Sequence, residues 1–133
     1  MPEFYYKDLS DKIIGIFFEV YNENDFGFRE RYYEDIAYQM IMEKGIRVQR
    51  QYAINLLHKG KYSVRRRADF LIENKMLVEL KVGKKIIKKH FDQLYEYLVA
   101  TDLRLGLIIL FNSEEVQVRR VVNDPEHQKK SQD

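Results

Sequence analysis

The segment Ala68-Asp69-Phe70-Leu71-Ile72-Glu73-Asn74-Lys75-Met76-Leu77-Val78-Glu79-Leu80-Lys81-Val82 reads as two short strands, 68–72 and 76–82, around a polar turn. Large and branched apolar residues fill both runs, and Glu73-Asn74-Lys75 punctuates them. Two acids lie inside the strands, Asp69 and Glu79. Strand interiors disfavour acids, and a buried carboxylate must be paired or bound to a cation. If Ile72 faces Met76, paired numbers sum to 148 and Asp69 falls opposite Glu79. A two-residue loop shifts the sum to 149 and sends the two acids to opposite faces. The sequence leaves both registers open. In the first, like charges oppose each other, which is unfavourable unless a divalent cation neutralises them. Lys81 stands two residues beyond Glu79, hence on the same strand face. An ammonium there can orient a water and stabilise charge developing on phosphorus. The competing reading is an exposed strand face carrying an ordinary Asp, Glu and Lys.

Working outward, residues 46–58 are extended and His58-Lys59-Gly60-Lys61 supplies a turn. Residues 8–22 have Ile13, Ile14, Phe17, Phe18 and Tyr21 at helical spacing, with Ser10 as the expected cap. After a polar break, 29–44 form a second helix with Tyr33, Ala37, Met40 and Ile41 on its stripe and Gly45 at its end. Glu30 precedes Tyr33 by three and Ala37 by seven, which assigns it to that buried stripe. Its competing role is an acid favoured by the helix dipole. Residues 85–100 form a third helix, with Ile86, Ile87, Phe91, Leu94, Tyr95 and Leu98 as its apolar set. The run Leu105–Phe111 suits a sheet interior, and 116–122 alternates like an edge strand. Residues 123–133 have nothing to bury and are expected to be disordered. The expectation is a single α/β domain over 1–122, in the order α-α-β-β-β-α-β-β.

Composition narrows the chemistry. The chain has 133 residues, 45% of them apolar, enough for one core. Without cysteine it has no disulfide, thiolate metal site or thiol nucleophile. No apolar run is long enough to span a bilayer, and Glu3, Lys7, Asp8 and Asp11 stand where a signal peptide would be apolar. A soluble, cytoplasmic protein that does not use a membrane is expected. The net charge of +2 says little, but Arg65, Arg66 and Arg67 are consecutive, and Lys81, Lys84, Lys85, Lys88 and Lys89 cluster. Such basicity fits a polyanionic partner or simply a solvated face. His58, His90 and His127 lack zinc spacing, and no serine sits in a nucleophile elbow.

Gly27-Phe28-Arg29-Glu30-Arg31-Tyr32-Tyr33 is a Gly-x-x-Glu-x-x-Tyr run. Beside it stand Ile-Ile-Gly-x-x-x-Glu-Val at Ile13–Val20, Arg67-Ala68-Asp69, Val78-Glu79-Leu80-Lys81 and Leu105-Gly106-Leu107-Ile108. On these motifs the chain, from about Ile13 through Val122, resembles the small GxxExxY proteins of the PD-(D/E)XK nuclease-like superfamily. The resemblance implies a restriction-endonuclease-like αβββαβ core, a mixed sheet flanked by helices, with an extra N-terminal helix. It implies divalent-metal-dependent cleavage of phosphodiester bonds in DNA or RNA, with Mg2+ or Mn2+ as cofactor. Asp69 and Glu79 would be metal ligands, Glu30 the helix acid completing the site, and Lys81 the catalytic lysine. Gln93 and Tyr97 match a Gln-x-x-x-Tyr of some branches and share a helix face. With Arg65, Arg66, Arg67, Lys84, Lys85, Lys88 and Lys89 they are the expected nucleic-acid contacts. Many relatives carry a histidine after the first-helix Glu-Val, where this chain has Tyr21. The rival expectation is a non-catalytic module that binds nucleic acid or protein, either as a homodimer or as another protein's partner.

Overall fold

The computed structural model describes residues 5–125. The elements follow the expected order: α1 (Lys7–Glu23), α2 (Glu30–Glu43), β1 (Val48–His58), β2 (Tyr62–Ile72), β3 (Met76–Val82), α3 (Lys88–Thr101), β4 (Leu105–Phe111) and β5 (Val116–Val122). The five strands form one mixed sheet in the order β1-β2-β3-β4-β5. Only β3 and β4 are parallel, and α3 is the crossover their parallel pairing requires. No described helix is long and apolar enough to cross a membrane.

The helices sandwich the sheet because each has one apolar stripe to bury. Ile13 and Phe17 of α1, with Tyr33, Ala37 and Ile41 of α2, pack against Phe70, Val78, Leu80 and Phe111. On the other face, Leu94, Tyr97 and Leu98 of α3 cover Leu71, Leu77 and Ile108. Every residue of β4 is buried, as its continuous apolar run requires. Gly106 lets α3 sit close, since a Cβ there would come within 2.8 Å of Leu94 Cδ2.

Several boundaries differ from expectation. The second strand begins at Tyr62 rather than Ala68, because its ladder with β1 continues down to His58↔Tyr62. Arg65, Arg66 and Arg67 therefore lie within the strand, not before it. Helix α3 starts at Lys88 rather than residue 85, since Ile87 is extended (φ −114°, ψ 164°). Lys84 and Lys85 thus precede the helix instead of opening it, and Ile87 is exposed rather than part of its apolar set. Ser10 does not cap α1, whose first residue is Lys7. It lies on the buried face, where its hydroxyl donates to Lys7 O (3.0 Å) and accepts from Arg120 Nη1 (2.7 Å). The expected tail also starts late, for Asn123 is buried and its side chain donates to Leu103 O (3.0 Å). Residues 126–133 lie outside the described residues.

One irregularity positions the site. The β1–β2 ladder passes from Arg50↔Phe70 to Tyr52↔Ala68 and skips the Gln51–Asp69 position. Gln51 has φ +50°, a left-handed backbone unusual for a residue with a side chain. Below it, the even-numbered Val48, Phe70 and Ile72 face α1 and α2. Above it, the even-numbered Tyr52, Ile54 and Ala68 face α3. The alternation turns over at Gln51 and Asp69, one residue on each strand, so the register is kept while the side chains are re-aimed.

Candidate active site

The β2–β3 ladder holds three pairs, Phe70↔Val78, Leu71↔Leu77 and Ile72↔Met76, so the register sums to 148. Beyond Phe70 the strands part. Instead of another ladder bond, Asp69 Oδ2 accepts the Leu80 N–H at 2.7 Å. The Asp69 carboxylate is thereby held at the backbone between Glu79 and Lys81. Leu77 faces α3, so Glu79 and Lys81 fall on that same face by alternation.

Glu79 is only 5% exposed. Burial pushes its carboxyl well above the usual range, and the charge and hydrogen bonding of Asp69 push it further, while Lys81 opposes the rise. Glu30 follows the same pattern. Burial raises it first, then Asp69, while Lys81 and a hydrogen bond from the Val82 backbone counteract. The Asp69 charge thus acts on both Glu30 of α2 and Glu79 of β3, and the Lys81 charge opposes the rise at each. Among the described residues, none of Glu30, Asp69, Glu79 and Lys81 is in an ion pair. The cluster is thus held together without the ion pairing that would neutralise it.

The Gly-x-x-Glu-x-x-Tyr run has a mechanical reason. Tyr33 is buried, and its hydroxyl donates to Asp25 O (2.7 Å) and accepts from Phe28 N–H (3.3 Å). It pins the chain on both sides of Gly27, whose φ of +120° disfavours any side chain. The helix then starts at Glu30 and delivers that carboxyl to β3. Glu30 is half-buried at the first position of α2; the buried stripe is Tyr33, Glu34, Ala37 and Ile41. We expect Tyr33→Phe to lower stability by about 1–2 kcal/mol, because Phe28 N–H and Asp25 O lose their shared partner. Any activity should fall with it while secondary structure stays intact, which melting curves and circular dichroism would check.

Glu34, Gln51 and His90 were not anticipated. The Glu34 carboxylate accepts from Arg50 Nε (3.2 Å) and Gln51 Nε2 (3.1 Å), and Arg50 also pairs with Asp35. This network braces the left-handed residue beside Asp69. Glu34 lies four residues after Glu30, one turn along the same face, and that spacing was the available signal. His90 Nδ1 accepts the Ile87 N–H (3.2 Å) at the start of α3. Burial, then Lys81 and Lys89, lowers its pKa and keeps it neutral, which suits that acceptor role.

The expected nucleic-acid contacts separate. Arg66, Lys89, Gln93 and Tyr97 line one cleft of about 520 Å³ between the β1–β2 hairpin and α3. Burial and then Glu79 raise the Tyr97 phenol, so the cleft reaches the acids through Tyr97. Arg65 and Arg67 alternate onto the other face of β2, where Arg67 Nη1 donates to Gln51 O (3.3 Å). Lys88 pairs with Asp92 at 2.5 Å. Lys84 borders a different hollow, and Lys85 is exposed before the helix.

Among the described residues, no group of three or more His, Cys, Asp and Glu side chains is arranged to cage a metal ion. Asp69 and Glu79 nevertheless fit a hard divalent cation. Magnesium commonly takes one or two carboxylates and retains several waters.

A family model described as the PD-(D/E)XK nuclease superfamily matches residues 7–121. A search of curated proteins found no match. Among solved structures, the crystal structure of SSO0001 superposes with a TM-score of 0.58 at 14% identity, over 72% of this chain and 50% of that one. An alkaline exonuclease from Laribacter hongkongensis gives 0.51 at 14% identity, over 71% of this chain and 56% of that one. The chain thus spans about half the length of each structure, and the likeness is one of fold.

Proposed function

The chain belongs to the PD-(D/E)XK nuclease superfamily, and on that premise we propose that it is a divalent-metal-dependent nuclease of the GxxExxY branch, cleaving phosphodiester bonds in DNA or RNA. The observation carrying this reading is the 148 register, which brings Asp69 and Glu79 together beside the unpaired Lys81. A buried carboxyl pair without a cation costs stability, so its natural complement is a metal ion. Asp69 and Glu79 would hold Mg2+ or Mn2+, with Glu30 as the helix acid completing the site. The bound ion would act as Lewis acid and lower the pKa of a water.

The chain's own residues supply the rest. Asp69 is fixed by the Leu80 N–H, so its carboxylate is oriented before substrate arrives. Lys81 would stabilise the charge developing on the phosphoryl oxygens. Arg66, Lys89 and Gln93 would guide the strand along their cleft, with Tyr97 buried at its base.

The rival, a non-catalytic nucleic-acid-binding module, draws on the lack of a three-donor metal cage among the described residues. Labelled single- and double-stranded DNA and RNA, each incubated with Mg2+ and with Mn2+, decide between them. The expected result is metal-dependent cleavage that EDTA and Glu79→Gln abolish. No cleavage of any substrate with either metal would overturn the nuclease in favour of the module.

A further inference from the structure

The loop that delivers Glu30 also displays aromatic side chains to solvent. Phe26 is 42% exposed, Phe28 43% and Tyr32 39%. Large apolar side chains grouped at one surface mark a binding site more often than isolated ones do. These are held in place. Phe28 and Tyr32 stack with ring centroids 4.0 Å apart, inclined by 17°, and Tyr32 Oη donates to Asn24 Oδ1 at 3.2 Å. Tyr33 clamps the backbone on either side.

Phe26 faces a hollow of about 570 Å³ that it shares with Gly83, Lys84, Asn112, Ser113 and Glu114. Its floor is braced by hydrogen bonds from Gly83 N to Phe111 O (3.1 Å) and from Asn112 Nδ2 to Lys84 O (3.4 Å). Gly83 directly follows Val82 at the end of β3 and lies two residues beyond Lys81. Two extended residues span about 6.6 Å, the length of roughly one or two stacked nucleotides. The hollow therefore borders the end of β3 from which Lys81 projects, and it shares no lining residue with the Arg66–Tyr97 cleft. An aromatic face, Lys84 and the exposed Arg29 at the end of the same loop together suit a base with its phosphate, although Glu114 at the rim is unfavourable to a phosphate there.

We propose that Phe26, with Lys84, forms a stacking subsite for an unpaired nucleobase next to the phosphodiester that a cation on Asp69 and Glu79 would engage. The inference rests on the nuclease reading and adds to it a preference for substrates with an unpaired nucleotide at the scissile position, meaning single strands or frayed ends. A base within a duplex presents no free face to the ring.

The test uses the full chain carrying Glu79→Gln, so that binding is read without cleavage, and measures fluorescence anisotropy of labelled oligonucleotides. Adding Phe26→Ala should weaken single-strand binding by roughly 5- to 150-fold, the range expected for one base–aromatic stack. Blunt-duplex binding should change less than twofold. Phe26→Tyr should restore single-strand affinity. An oligonucleotide with one abasic position at the subsite should bind the Phe26 form as weakly as the intact oligonucleotide binds the Phe26→Ala form. It should lose little more when both changes are combined. Equal affinities with and without Phe26, or additive losses in the abasic cycle, would overturn the subsite and point to a protein partner for these aromatics. Cleavage by the chain with its native Glu79 is scored separately. Cleavage that ignores Phe26 would remove the subsite alone, whereas absence of both cleavage and nucleic-acid binding would remove the nuclease reading too.

Discussion

Lys81→Ala is expected to reduce turnover roughly a hundred- to a thousandfold, the loss typical when one preorganised charge-stabilising group is removed. Lys81 shares a strand face with Glu79, and its charge acts on Glu30, Glu79 and His90 alike, which places it at the centre of the acids. An interaction made chiefly in the transition state lowers kcat while leaving substrate affinity nearly unchanged. Lys85→Ala and Lys89→Ala should behave in the opposite way. Lys85 is exposed before α3 and Lys89 lines the cleft, so both can reach only flanking phosphates. Their loss should weaken binding and flatten its salt dependence, with the rate at saturation preserved. Single-turnover and binding measurements on the three variants separate these cases. Equal losses of affinity in all three would make Lys81 another phosphate contact.

Metal should stabilise the protein, and more strongly as pH rises. The folded state holds the Glu79 proton to a higher pH than the unfolded chain, whose glutamates titrate near 4.5. Above that pH the unfolded state binds fewer protons than the native one, so metal-free stability falls until Glu79 ionises in the fold. Glu30 adds to the trend in the same direction. A cation bound to the ionised pair removes the penalty. At a concentration of about a hundred times the dissociation constant it adds about 2.7 kcal/mol, a rise in Tm on the order of 10 °C for a domain of this size. Glu79→Gln should raise the metal-free Tm at pH 8, reduce its fall with pH and erase the response to metal. Thermal melts from pH 5 to pH 8, with and without millimolar magnesium or manganese, provide the check. A Tm indifferent to both metals at pH 8 would exclude the site.

Much of the architecture was legible along the chain because local pattern carried it. The amphipathic spacing of Ile13, Phe17, Ala37 and Ile41 gave α1 and α2, and the unbroken apolar run at Leu105–Phe111 gave an interior strand. Boundaries were less legible where one residue's backbone decided them. Extended Ile87 delays α3 to Lys88, and a ladder closed through His58↔Tyr62 makes a polar stretch containing three arginines into strand. Propensity is weak there, and pairing with β1 overrides it.

For the site, the order of residues alone sets their types and faces: a carboxylate and an ammonium two apart on β3, and an acid within the strand before it. It left the register open, since sums of 148 and 149 satisfied the same pattern. Packing between the elements settles it. The opposite faces of β3 fix the pairing at Phe70↔Val78, because a one-residue slip would turn Glu79 and Lys81 into the apolar core under α1 and α2. Only the folded chain shows that the strands part at Asp69, that its carboxylate takes the Leu80 N–H, and that left-handed Gln51 is braced by Glu34 and Arg50. It also splits the three arginines between two faces of β2 and gathers Phe26 and Lys84 at one hollow. These are long-range contacts, set by how three helices and five strands close around one sheet. Alternation within a strand is a property of a few neighbouring residues, whereas the meeting of Glu30, Asp69 and Glu79 depends on separate elements packed together, so the first could be read from the chain and the second required the fold.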